Sequence, residues 1–209
     1  MDIQNKNRKL LKKNHVYHEN MEHDACGVGL VASTEGLKSR KVVEYGIEAL
    51  KAVWHRGAID ADGKTGDGAG IHIEIPNDFF AEKIEITGHE HDNSDLCVGM
   101  IFLPRNDFGG QEQCRSIVES ELTKKNFNIY GWRQVPVDPS VLGEKAEQTR
   151  PEITQVLFTH NDKSIHGKDL ERALYETRRK IEKEALRNQL NNFYICSFSS
   201  KSIIYKGMF

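Results

Sequence analysis

The sequence lacks a strong charge of either sign: 29 lysines and arginines stand against 31 aspartates and glutamates, a formal net charge of −2 over 209 residues. That balance gives no electrostatic ground for nucleic acid or an anionic membrane surface as a partner. No apolar run approaches the ~18 residues that a bilayer-spanning helix needs. The first thirteen residues are basic but lack the apolar stretch of a secretory signal, so a cytoplasmic location is expected. Cysteine is sparse and scattered, at positions 26, 97, 114 and 196, with no Cys-x-x-Cys pair. That spacing argues against a zinc framework, and a cytosolic chain of this size has little need of disulfides. No internal repeat is present. The remainder, 38% hydrophobic and 29% charged, has ordinary globular composition.

Hydrophobic periodicity predicts alternating strand and helix clusters. Residues 1–25 show no sustained apolar period and read as a leader without structure of its own. Residues 26–33 alternate small and branched apolar side chains and predict a strand. Ser39 is placed to cap a helix running to about His55, with Val43, Ile47, Leu50 and Trp54 on one stripe. Five glycines between positions 57 and 70 predict a tight loop. Ile71, Ile73 and Ile75 then alternate as a half-buried strand stopped by Pro76. Further strands are expected at 97–103, 127–132 and 154–158, and helices around Cys114 to Leu122 and over 168–190. A closing hairpin is expected between 193–198 and 202–205, across Ser199-Ser200-Lys201. This pattern predicts a mixed α+β domain rather than a regular βαβ array. Cys97, Cys114 and Cys196 fall on apolar faces and read as buried core thiols.

Cys26 has a different setting, His23-Asp24-Ala25-Cys26-Gly27-Val28-Gly29-Leu30, at the junction of leader and first apolar run. A cut before it makes it an N-terminal residue carrying nucleophile and base together. An α-amino group titrates near ~7.7–8.0 and a thiol near ~8.5, so the neutral amine takes the thiol proton at neutral pH. That pairing suits attack on an amide carbonyl. Arg56, in Trp54-His55-Arg56-Gly57-Ala58, would favour the thiolate if it stood nearby. Read alone, it is a surface arginine at the C-terminus of a helix.

Other motifs do not hold up. Gly63-Lys64-Thr65 imitates the end of a phosphate loop, but the first glycine that motif needs falls on Ala58, and the order is helix, loop, strand. Asp60, Asp62 and Asp67 miss the calcium-loop pattern. His15, His18, His23, His89 and His91 read as solvated side chains rather than metal ligands. The loop is better read as a shaped turn packing beside the catalytic residue.

Together, the Cys26-Gly27-Val28-Gly29 and His55-Arg56-Gly57 segments resemble the class II, N-terminal nucleophile, glutamine amidotransferases. The longer matches, from His23 to Leu30 and from His55 through Asp62-Gly63-Lys64-Thr65-Gly66-Asp67-Gly68-Ala69-Gly70, resemble the amino-terminal part of glutamate synthase large subunits. Gly131-Trp132-Arg133 and Ile204-Tyr205-Lys206-Gly207 extend the likeness. The resemblance implies a four-layer αββα sandwich, incomplete at the C-terminus, with residues 1–25 as propeptide and 26–209 as the front of the amidotransferase domain. It implies Cys26 as the nucleophile and Arg56 and Gly57 as residues lining the glutamine pocket. It further implies ammonia passed to a synthase domain that converts 2-oxoglutarate to glutamate. FMN and an iron–sulfur cluster would belong to that remainder of the large subunit, and none to this segment. An NADPH-oxidising small subunit is a further implied partner. The family's oxyanion-hole Asn-Gly pair has no counterpart, since the sequence contains no such dipeptide. A lost oxyanion donor costs ~10²–10³ in turnover, so the segment alone is expected to be inactive. The competing readings are a non-catalytic binding or regulatory module of the same fold, or another class II amidotransferase.

Overall fold

The computed structural model describes residues 6, 27–54, 57–90 and 95–207. In chain order the elements are α1 (Arg40–Ala52), β1 (Ala69–Glu74), α2 (Asn77–Ile86), β2 (Leu96–Leu103), α3 (Phe108–Lys124), β3 (Phe127–Gln134), α4 (Glu144–Thr149), β4 (Glu152–His160), α5 (Gly167–Arg187), β5 (Tyr194–Ser199) and β6 (Ser202–Gly207). A short 3₁₀ turn, Pro139–Val141, precedes α4. This is a mixed α and β domain, as the periodicity predicts, and the strands of the described residues lie in two antiparallel sheets. One sheet has the order β3-β4-β2-β5, and the other pairs β1 with β6.

The four-stranded sheet is covered on both faces, which explains why its central strands read as continuous apolar runs. Side chains alternate along β2: Cys97, Ile101 and Leu103 join one core, while Leu96, Val98 and Met100 join the other. The first core is closed by Cys114, Val118 and Leu122 of α3 and by Leu170, Leu174 and Ile181 of α5, all fully buried. The spacing of those residues puts each set on one helical face. The second core takes Phe80 and Ile84 of α2, together with Ile73, Ile75 and Ile203 at the β1–β6 pair. α1 lies against β1, where a methyl group added at Gly46 would sit 3.3 Å from Ile71 Cδ1.

Four expectations need correction. Residues 27–33 form no strand, and Val28 and Leu30 are each 92% exposed. Among the described residues no strand pairs with this segment. Ser39 does cap α1, its hydroxyl accepting from Lys41 N at 3.2 Å, but the helix ends at Ala52 and Trp54 lies beyond it, 78% exposed. Val43, Ile47 and Leu50 are only half-buried. β5 and β6 are not a hairpin: β5 pairs with β2 and β6 with β1, so the chain changes sheets between them. Glu171 of α5 holds that crossing, accepting from Ser199 Oγ at 3.0 Å, from Ser200 N at 2.8 Å and from Ser200 Oγ at 2.8 Å. α2 and α4 are additional elements. α2 was signalled by Pro76 before its first turn and by Phe80 and Ile84 one turn apart.

Candidate functional site

Of the residues singled out by the sequence, Cys26 and Arg56 lie outside the described residues, as do His15, His18, His23 and His91. Gly57 is described. It is exposed, and its N–H donates to Trp54 O at 3.1 Å, closing a turn just past the end of α1. On the other side of the junction, Gly29 runs alongside the same helix, where an added methyl would meet Ala49 Cβ at 3.9 Å. Near position 26, then, Gly29 passes close to α1, the helix that precedes Gly57.

The glycine-rich loop folds back on itself. Ile59 and Gly66 form an antiparallel bridge, and Asp60 N donates to Thr65 O at 2.7 Å. Gly63 at φ 68° and Gly68 at φ 96° take left-handed conformations that glycine adopts without steric cost. Asp62 organises the tip: its carboxylate accepts from Lys64 N at 3.0 Å, from Thr65 N at 2.7 Å and from the Thr65 hydroxyl. Those bonds hold the Asp62 carboxyl far below the usual carboxylate range, the Thr65 hydroxyl first among them. Ala58 N donates to Asp67 Oδ2 at 2.9 Å, tying the residue after Gly57 to the far limb of the loop.

These bonds dispose of the nucleotide reading. A phosphate loop keeps its backbone amides free for the anion, whereas here the amides of Lys64 and Thr65 are bonded to a carboxylate of the chain itself. The Lys64 ammonium donates to Ser140 O at 3.0 Å instead of reaching into the loop. A cleft of about 580 Å³ lies elsewhere, beside the Lys38–Glu74 ion pair and Lys201.

The loop is also gripped from outside. Lys145 Nζ donates to both oxygens of Asp60, at 2.7 and 2.8 Å. The bond lowers the Asp60 pKa and raises that of Lys145. Gly143 lies directly against Thr65 and Asp62. Sequence reasoning missed this second segment, because the contact spans some eighty residues and leaves no local pattern.

The described cysteines are unsuited to chemistry. Cys97, Cys114 and Cys196 are buried free thiols. Burial pushes all three thiols up, Cys114 to about 11. Their separation between two cores does not fit an iron–sulfur cluster, and no group of three potential metal ligands converges among the described residues. His89 is engaged with the Thr87 hydroxyl at 3.0 Å. No helix among the described residues is long and apolar enough to cross a membrane.

Comparison with known proteins decides the family. Residues 26–209 match the family of glutamine amidotransferases class-II. The chain belongs to the class II glutamine amidotransferases. It is similar to the glutamate synthase [NADPH] large chain of Azospirillum brasilense, at 54% identity over 193 residues, covering 92% of this chain and 13% of that protein. It is also similar to ferredoxin-dependent glutamate synthase 2 of Synechocystis sp., at 38% identity over 188 residues, covering 90% of this chain and 12% of that protein. A chloroplastic ferredoxin-dependent glutamate synthase of Arabidopsis thaliana is 38% identical over 189 residues, 90% of this chain and 12% of that protein. The chain thus spans roughly an eighth of the length of these relatives. The amidotransferase match opens at Cys26.

Proposed function

We propose that this chain is the glutaminase part of a glutamate synthase, with Cys26 as its nucleophile once residues 1–25 are removed. The observation that carries the reading is the class II amidotransferase match beginning at Cys26. The burial of the other three cysteines supports it, since a thiol raised by desolvation is a poor nucleophile at neutral pH.

In this reading the Cys26 α-amine takes the thiol proton, and the thiolate attacks the side-chain amide carbon of glutamine. The tetrahedral adduct collapses with proton return to the leaving nitrogen, releasing ammonia and leaving a glutamyl thioester. Water, deprotonated by the same amine, hydrolyses the thioester to glutamate and regenerates the thiol. Arg56 and Gly57 line the pocket for glutamine. The complete domain takes the four-layer αββα sandwich of N-terminal nucleophile hydrolases. The released ammonia passes to a synthase domain in the rest of a large subunit, in the cytoplasm, with an NADPH-oxidising small subunit as a further partner. FMN and an iron–sulfur cluster belong, in this reading, to the full-length enzyme.

Mass analysis of the active protein's N-terminus tests the reading. A polypeptide beginning at Cys26 is expected, and active enzyme that retains residues 1–25 overturns the mechanism. The Cys26→Ala variant should lose glutamine-dependent activity, by at least about 10³-fold, while ammonia-dependent synthesis persists.

A further inference from the structure

We infer that Gly143 and Lys145 are positioning residues for glutamine, gripping from outside the loop that starts at Gly57. The inference rests on the reading above that Arg56 and Gly57 face that substrate.

Gly143 sits at φ −74° and ψ 164°, an extended conformation open to any residue, so its need for glycine is one of space. A Cβ there would lie 2.1 Å from Thr65 Oγ1, 2.5 Å from Thr65 N and 2.7 Å from Asp62 Oδ2. Two residues on, Lys145 holds both oxygens of Asp60, and Ser140 takes the Lys64 ammonium on its carbonyl. Three contacts from one short segment therefore meet the loop at residues 60, 62, 64 and 65.

The segment is itself anchored to the body of the fold. Arg105, just past the end of β2, donates to the Glu147 carboxylate and to Glu147 O at 3.2 Å. Arg150 Nε donates to the same carboxylate at 2.7 Å. A continuous path thus runs from β2 through Arg105 and Glu147 of α4 to Lys145, Asp60 and the turn at Gly57.

Magnitude decides what the grip is for. The Lys145 and Asp60 side chains are 58% and 41% exposed, and an ion pair so open to water adds little to stability. Placement is another matter, since misplacing a substrate-contacting group by about 1 Å can cost about 10²-fold in rate. The grip therefore acts on recognition more than on folding.

The test uses protein expressed from the complete gene, with Cys26 labelled by 6-diazo-5-oxo-norleucine, which needs the glutamine pocket, or by iodoacetamide, which does not. Gly143→Ala and Lys145→Met should slow the first labelling about 10- to 100-fold and leave the second unchanged. Lys145→Arg should restore the wild-type rate, as should exchanging the charges in Asp60→Lys with Lys145→Asp. Variants that react with both reagents at wild-type rates, or that lose both together, overturn the inference alone. Wild-type protein that iodoacetamide labels and the glutamine analogue does not would overturn the glutaminase reading, and the inference with it.

Discussion

Gly99, in the middle of β2, shows how little room the first core leaves. A Cβ at that position would lie 2.7 Å from Val156 Cγ1 and 2.8 Å from Phe198 Cδ2, side chains of the two neighbouring strands. Gly99→Ala should destabilise the protein by about 1–3 kcal/mol through overpacking, seen as a lower denaturation midpoint with an unchanged slope. The same crowding accounts for the cysteines. Cys97 faces into that core, where desolvation holds its thiol neutral. Its apolar run announced that burial, as did the run around Cys196 and the helical face that carries Cys114. Gly143 gave no such notice, because its partner Thr65 is remote in sequence.

At the scale of elements, helical spacing carried more information than strand pairing. Cys114, Val118 and Leu122 are buried on one face of α3 as their four-residue spacing requires. Ser199-Ser200-Lys201 resembled a hairpin turn, yet a turn says nothing about which strand each limb joins. Here the Glu171 carboxylate stabilises a crossing between sheets. α4 depends likewise on charge, since Arg150 and then Arg105 hold the Glu147 carboxyl at about 2, below its ordinary 4.5. A depressed folded-state pKa gives stability that is present above 4.5 and lost as pH falls towards 2. Glu147→Gln should therefore be less stable than wild type at neutral pH, and the two should converge as the pH approaches 2. Chemical denaturation across that range checks the sign. Parallel curves would show that the arginines contribute nothing through this carboxylate.

Across the whole molecule, order is distributed unevenly. β2 and β4 lie between two cores, whereas α1 has no buried residue and Val28 and Leu30 face solvent. Amide exchange should be slowest in β2 and β4 and markedly faster in α1, because opening α1 exposes little apolar surface. Equal protection in α1 and β4 would contradict this gradient.

From composition and order alone, the chain already determined its α+β class, its membership among class II amidotransferases and the singular setting of Cys26. Those properties reside in local periodicity and in short contiguous motifs, which need no partner to be recognised. Only the tertiary structure decided that β5 and β6 belong to different sheets, that residues 27–33 lack a ladder, and that Gly143 and Lys145 grip the glycine loop. Each of these depends on contacts between remote segments, where packing and hydrogen bonding choose the partner and local preference has no say.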